Sequence, residues 1–153
     1  MQRSDKYRLA EQFRRMHHIM ASLPEKAGIS HGEFCIMNII RNGREDITVS
    51  EIAAELGVTP PAVSRSLKCM ESRGLILRET DSVNRRNTVV RLTVKGRDIL
   101  VQARSKIDSI TEKVNSEMGA ERIDQLYRLL AEMAETYEKY AGVKGENTDD
   151  KDT

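Results

Sequence analysis

Apolar positions recur at helical spacing near both ends of the chain. In residues 5–23 they alternate between steps of four and three, which is the repeat of an apolar seam along one side of a helix. Pro24 ends this helix, because a proline ring cannot continue it. Near the other end the same steps predict a helix that pairs with another helix. The two seams are Leu9, Phe13, Met16, Met20 and Leu23, and then Ile123, Leu126, Leu130, Met133, Tyr137 and Tyr140.

Between these ends the pattern first predicts two shorter helices. Ser30 can cap one of them, which has a broad apolar face until Asn42-Gly43 interrupts the spacing. The next helix is placed with Ser50 at its cap and ends at Gly57. Both apolar faces predict buried helices. Their members are Phe34, Ile36, Met37, Ile39 and Ile40 in the first, and Val49, Ile52, Ala53 and Leu56 in the second.

A further helix follows after a turn of about three residues. Thr59 caps it, and Pro60-Pro61 suit its first turn, where a missing amide donor costs little. The helix continues to Arg73-Gly74. Two helices around so short a turn predict a helix-turn-helix.

The periodicity then changes to that of strands. The segments LILRE, from Leu75, and TVVRL, from Thr88, are rich in branched residues, and a polar stretch separates them. They predict a β-hairpin with a long basic tip. Thr93 restarts a helix that continues to Gly119, with Ile99, Ala103, Ile107, Ile110 and Val114 on one face.

The order of elements predicts a mainly α fold with a small β-hairpin wing (α+β). It is a winged helix-turn-helix with flanking N- and C-terminal dimerisation helices. We predict an N-terminal dimerisation helix in residues 1–29, the winged domain in 30–97, C-terminal dimerisation helices in 98–141 and a flexible tail in 142–153. The tail has no apolar periodicity.

Composition and charge narrow the function. With 39% hydrophobic and 32% charged residues the chain suits a globular protein, and no apolar run approaches the roughly 18 residues of a membrane span, so we expect it in the cytoplasm. Residues 59–97 hold nine Lys/Arg against three Asp/Glu, whereas residues 98–153 hold eight against thirteen. A basic region beside an acidic remainder is typical of a protein that approaches phosphates with one face, although a solvated charged face is the alternative.

The helix that begins at Pro60 has the geometry of a groove reader. At 100° per residue, Val63, Leu67 and Met70 cluster on one side to pack inward. The opposite face is small and basic: Arg65 can reach a guanine edge or a phosphate, and Lys68 a phosphate. An ordinary surface helix is the alternative interpretation. The predicted DNA-binding residues of this region are Thr59, Pro61, Ala62, Ser64, Arg65 and Lys68, although for Thr59 alone a plain helix cap is favoured.

The hairpin tip adds a second contact. Arg85 and Arg86 are predicted to bind DNA, because arginine is attracted to the negative potential of a narrow minor groove. Asp81 can brace one of them by a charged hydrogen bond, and Asn84 lies beside them. Simple solvation of the arginine pair is the alternative.

These residues resemble the multiple antibiotic resistance regulators, the MarR family, over residues about 7 to 140. The strongest segments are VSEIAAELGVTPPAVSRSLKCMESRGLILRE and TDSVNRRNTVVRLTVKGRDIL. They resemble the family's recognition helix and its Asp-x-x-Asp-Arg-Arg wing with Leu-Thr-x-x-Gly. The resemblance implies that Arg86 enters the minor groove and Asp81 holds the wing arginines. Asn84 stands where the family has a second wing aspartate, so the loop loses one charge.

The resemblance also implies how the protein works as a whole. The outer segments form a homodimer interface, and a two-fold symmetric dimer binds an inverted-repeat operator in double-stranded DNA. We expect a transcriptional repressor released by a small aromatic or phenolic effector. The effector pocket stays unassigned: Met16, His17, Met20, Cys35 and Met37 could line it, but at helical spacing core packing is favoured.

Other chemistries have little support. Cys35 and Cys69 lack metal or redox spacing, and His17, His18 and His31 make no recognised zinc motif, so no metal or cofactor is expected. The chain has no phosphate-cradling glycine loop, no His-Glu-x-x-His and no nucleophile elbow. The alternatives are a winged-helix protein-interaction module without sequence-specific DNA binding, and an enzyme with an unrecognised site.

Overall fold

The computed structural model describes residues 3–43, 47–80 and 88–142. The described chain divides into two compact units, residues 1–108 and 109–153. Its elements are α1 (Arg3–Ser22), a 3-10 turn (Pro24–Ala27), α2 (His31–Asn42), α3 (Val49–Glu55), α4 (Pro60–Ser72), β1 (Ile76–Thr80), β2 (Thr88–Leu92), α5 (Val94–Met118) and α6 (Ala120–Ala141). The predicted fold class, mainly helical with one hairpin, is confirmed. The proposed limits of the four parts at residues 29, 97 and 141 stay a prediction, and residues 143–153 of the tail lie outside the described residues.

The core of the first unit lies among α2, α3, α4, the hairpin and the first turns of α5. Buried aliphatic side chains from each of these elements form one cluster, as the sequence pattern predicts. The least exposed members are Ile29, Ile36, Met37, Ile52, Ala53, Val63, Leu67, Met70, Leu75, Ile76, Val90, Leu100 and Ala103.

The start of α2 is confirmed as predicted. Ser30 accepts a hydrogen bond from the backbone N–H of Glu33 at 3.3 Å, and the Glu33 carboxylate accepts one from the backbone N–H of Ser30 at 2.8 Å. This reciprocal capping box satisfies two amide donors that the first turn of a helix leaves unpaired.

The predicted cap of α3 is wrong by two residues. Thr48, not Ser50, is the N-cap: its hydroxyl accepts from the backbone N–H of Glu51 at 3.2 Å, and the Glu51 carboxylate accepts from the backbone N–H of Thr48 at 2.8 Å. Ser50 lies inside the first turn and is exposed. The pair Thr48-x-x-Glu51 is the capping-box signature, and it was present in the sequence.

The hairpin is a two-stranded antiparallel sheet. Its register pairs Ile76 with Leu92 and Thr80 with Thr88. An isolated bridge between Thr48 and Val89 joins the segment before α3 to β2. The hairpin is therefore attached to the beginning of the helix-turn-helix near the Thr88 end of β2.

The helices at the two ends leave apolar side chains exposed. In α1, Leu9, Phe13, Met16 and Met20 are 43–58% exposed. None of the 22 residues of α6, all of them described, is buried. Within residues 3–43, 47–80 and 88–142, no helix is both long and apolar enough to cross a membrane.

Candidate nucleic-acid interface

A tight turn joins α3 to α4. Leu56 caps α3, and Gly57 follows with a φ of +63°, which side chains rarely adopt. The backbone N–H of Val58 then donates to the carbonyl oxygen of Ala53 at 3.0 Å, which ends the helix with a paired carbonyl. The next helix begins two residues later, as the helix-turn-helix prediction requires.

Helix α4 has one buried and one exposed face, in agreement with the sequence. Val63, Leu67 and Met70 are at most 2% exposed. On the other side Arg65 and Lys68 are exposed. These two side chains are three positions apart, so they project from the same face of the helix. The exposed group also includes Pro61 and Cys69, while Ala62 and Ser64 are half-buried.

Thr59 occupies the N-cap position of α4 but does not cap it with its side chain. The carbonyl oxygen of Thr59 accepts from the backbone N–H of Ala62 at 2.9 Å, whereas its hydroxyl makes no capping hydrogen bond. The residue is exposed. Thr59 is therefore the N-cap residue, as predicted, but the prediction that its side chain caps the helix is wrong, because the hydroxyl makes no capping hydrogen bond.

The tip of the predicted wing lies outside the described residues. Asp81, Asn84, Arg85 and Arg86 all belong to residues 81–87, which join the paired strand ends. The strands are joined by their antiparallel pairing, and an exposed ion pair between Arg91 and Glu79, with an N–O distance of 2.9 Å, bridges them.

The C-terminal end of α4 is held by contacts that the sequence analysis missed. Arg73, the C-cap, binds Glu33 through one guanidinium nitrogen and the carbonyl oxygen of Gly28 through another, both at 2.6 Å. From the other side Lys95 donates to the carbonyl oxygen of Arg73 at 2.8 Å, and Thr93 donates to that of Gly74 at 2.7 Å. These partners lie 19 to 45 positions away along the chain, so no local pattern indicated them.

The side chains considered for an effector pocket differ widely in burial. Met37 is fully buried in the core, whereas Met16 and Met20 are 58% and 44% exposed on α1. Cys35 lies 3.6 Å from His31, whose ring meets that of His17 edge-on with 6.0 Å between the centroids. Burial raises the pKa of the Cys35 thiol, so less of it is thiolate at neutral pH. The described residues contain no cluster of three or more metal-ligating side chains.

A cavity of about 630 Å³ lies elsewhere, between the end of α2, β2 and the start of α5. Its walls combine aliphatic side chains with guanidinium groups. One of these groups, that of Arg97, donates to the carbonyl oxygen of Leu92 at 2.8 Å. The lining residues are Ile40, Arg41, Gly43, Val90, Arg91, Leu92, Arg97, Leu100 and Val101.

Two helices around a tight turn, a second helix with an exposed basic face and a following hairpin define a winged helix-turn-helix protein. Residues 29–88 match the model of the MarR family. The resemblance seen in the sequence is thereby confirmed.

Individual relatives agree with this assignment. The chain is similar to an uncharacterised HTH-type transcriptional regulator, YdgJ, of Bacillus subtilis (strain 168), with 26% identity over 106 residues, or 69% of this chain. The chain spans only 64% of the length of that relative.

Two solved structures share the fold. The transcriptional repressor CouR bound to a 23-mer DNA duplex is 24% identical with a TM-score of 0.72, covering 85% of this chain and 92% of CouR. A crystal structure of the S. aureus MepR–DNA complex is 23% identical with a TM-score of 0.72, covering 83% of this chain and 96% of MepR.

Proposed function

We propose that this protein is a DNA-binding transcriptional regulator that inserts α4 into the major groove. The observation that carries the proposal is the division of α4 into a fully buried aliphatic face and an exposed face with Arg65 and Lys68. A helix fixed to its domain by one face can present the other to base edges without rearrangement. That CouR and MepR were both solved with DNA supports the same mode of binding.

Within this interface each side chain has a proposed role. Arg65 contacts a guanine edge or a phosphate and Lys68 a phosphate, while Thr59 and Ser64 donate to phosphates near the helix start. Pro61 and Ala62 are small enough for close approach of the backbone to the groove floor. The exposed hydroxyl of Thr59, free of a capping bond, supports its assignment.

The wing provides the second proposed contact with DNA. Arg85 and Arg86 would enter the adjacent minor groove, and Asp81 and Asn84 would brace them. The support is the hairpin register, in which Thr80 pairs with Thr88, so that the connecting segment leaves from and returns to neighbouring positions.

We further propose that the protein acts as a homodimer on an inverted repeat and represses transcription. The exposed apolar seams of α1 and α6 support a second copy as the occupant, because such surface is costly to leave in water. The repressor role is supported by the likeness to CouR, which is a transcriptional repressor. An effector that releases DNA is also proposed. The 630 Å³ cavity is within the range of small-molecule sites, and its arginines favour an acidic aromatic compound.

Binding to the gene's own upstream DNA tests the function. Footprinting with the full chain is expected to protect two half-sites about 10 base pairs apart, one helical turn. Affinity should fall steeply between low and physiological salt, since phosphate contacts release counterions. Binding that is absent or insensitive to salt would contradict the proposal and leave a protein-interaction module as the explanation. Adding benzoate or phenol to the bound complex tests the effector, with release of the duplex expected.

Two substitutions in α4 separate base reading from phosphate binding. Arg65→Ala should weaken binding by about 1–3 kcal/mol and relax base preference at one position of each half-site. Lys68→Ala should weaken binding to every sequence alike and reduce the slope of log K against log salt by about one. Arg128→Ala, which removes an exposed arginine of α6, is the matched control and should change neither. Equal behaviour of all three variants would exclude α4 as the reading helix.

A further inference from the structure

Arg73 joins the end of the proposed recognition helix to the region that precedes α2. Its guanidinium reaches the Glu33 carboxylate and the carbonyl oxygen of Gly28, each at 2.6 Å. Gly28 ends the turn that follows α1. One side chain therefore links three segments: the C-cap of α4, the first turn of α2 and the turn between α1 and α2.

Glu33 is fully engaged in this arrangement. It is a buried charged residue, 8% exposed, and its two oxygens have different partners. One oxygen accepts from Arg73, and the other accepts from the backbone N–H of Ser30. A buried carboxylate with both oxygens bonded has one favoured position, because moving it would leave a charge without a partner.

The same end of α4 is also held from the start of α5 and from Thr93, the residue before it. Lys95 donates to the carbonyl oxygen of Arg73 at 2.8 Å, the Thr93 hydroxyl donates to that of Gly74 at 2.7 Å, and the backbone N–H of Thr93 donates to that of Leu75 at 3.1 Å. Ion-pair and hydrogen-bond contacts therefore hold the C-terminal end of α4. The exposed residues Arg65 and Lys68 lie nearer its N-terminal end.

Because α4 is long, a small change of its angle at the C-terminal end displaces its N-terminal turn. Thirteen residues at 1.5 Å each give a helix of roughly 20 Å. A rotation of about 3° around the end at Arg73 would move the first turn by roughly 1 Å, which exceeds the tolerance of a hydrogen bond to a base edge.

We propose that Glu33 and Arg73 are positioning residues that fix the angle of α4 against α2 and the turn after α1. Their effect on DNA rests on the proposed function, whereas their effect on α4 itself does not. Loss of this pair should impair sequence-specific binding more than non-specific binding, because phosphate contacts tolerate displacement better than base contacts do.

Glu33→Gln removes the charge while keeping the capping box, because glutamine serves in that motif as well as glutamate. Ser30→Ala is the matched control: it removes the capping hydroxyl and leaves the carboxylate and Arg73 in place. Arg73→Lys keeps the charge but replaces two separate donor nitrogens of a planar guanidinium by a single ammonium nitrogen, so it should be intermediate.

The first measurement is amide hydrogen exchange of the free protein. In Glu33→Gln we expect exchange in the last turn of α4 and at Gly74 and Leu75 to rise about tenfold or more, with Arg73→Lys in between. Ser30→Ala should raise exchange at the start of α2 only. Unchanged exchange at the end of α4 in Glu33→Gln, or the same change in Ser30→Ala, would overturn the proposal.

The second measurement compares a duplex selected from a random library by the unaltered chain with a scrambled duplex. At a temperature where every variant is folded, Glu33→Gln should reduce the ratio of the two affinities about tenfold. A ratio equal to that of the unaltered chain would overturn the positioning role. If the unaltered chain selects no sequence, the proposed function fails, and hydrogen exchange alone decides whether this pair positions α4.

Discussion

Gly96 lies where the first turn of α5 meets the segment between α4 and β1. A Cβ atom at this position would be 2.0 Å from the carbonyl oxygen of Leu75, closer than any real contact. Thr93, three residues earlier, caps α5 by accepting from the backbone N–H of Gly96 at 2.9 Å. The Thr-x-x-Gly spacing therefore combines a helix cap with a close approach of two backbones.

Gly96→Ala should consequently destabilise the fold. The added methyl group must displace backbone rather than a flexible side chain, and we expect the free energy of unfolding to fall by about 2–4 kcal/mol. Chemical denaturation of the variant measures it. Gly32→Ala is the control, because Gly32 is in a helix and a Cβ atom there would meet open space. Its free energy of unfolding should rise by about 0.5–1 kcal/mol. A similar effect from both substitutions would show that the close approach to Leu75 is unimportant.

At the scale of the element, the beginning of α3 shows which of two candidate residues becomes the N-cap. Thr48 and Ser50 are both good N-cap residues, and both precede the buried positions Ile52 and Ala53. Only Thr48 has a glutamate three residues later, so only Thr48 completes a reciprocal capping box. The bridge from Thr48 to Val89 adds a further reason, since it holds that residue in extended backbone.

Removing one hydroxyl tests this assignment. Thr48→Ala should lower the free energy of unfolding by about 1 kcal/mol, the usual cost of a lost cap. Ser50→Ala, an exposed site two residues later, should change it by less than about 0.5 kcal/mol. Thermal or denaturant unfolding of the two variants side by side gives the answer. A larger loss in the Ser50 variant would contradict the capping box described above.

At the scale of the whole molecule, the exposed seams point to assembly. Along α6, Leu126 and Leu130 are 40% and 39% exposed, although they occupy the apolar positions of a helix-pairing repeat. A second copy of the chain is the occupant we propose. Because the two modules of such a dimer would be related by two-fold symmetry, its interface also sets the spacing of the half-sites.

A charge placed in the seam should prevent assembly. Leu130→Glu is expected to shift the protein from dimer to monomer at micromolar concentration, because an unpaired carboxylate would be buried at the interface. Sedimentation equilibrium measures the mass directly. Gln125→Glu adds the same charge to an exposed position of α6 outside the seam and should leave the dimer intact. A Leu130→Glu protein with unaltered mass would exclude this seam as the interface.

Local features of the fold were predicted well. The cap at Ser30, the prolines at the start of α4 and the alternation of buried residues in the core helices each depend on neighbours within four positions. The inward face of Val63, Leu67 and Met70 follows from helical geometry alone. The predicted cap of α3 at Ser50 was wrong because the Thr-x-x-Glu spacing from Thr48 to Glu51 marks the start of this helix more specifically than the apolar pattern does.

The sequence by itself determined the type and order of the elements, the two faces of α4 and the family resemblance, because periodicity, caps and turn residues act over a few positions. The tertiary structure alone decided how the end of α4 is held, with Glu33 and Gly28 on one side and Lys95 on the other. It also left the hydroxyl of Thr59 without a capping hydrogen bond, and it formed a cavity whose lining includes none of the residues considered for an effector pocket from the sequence. These features depend on contacts between residues distant along the chain, which no local spacing specifies.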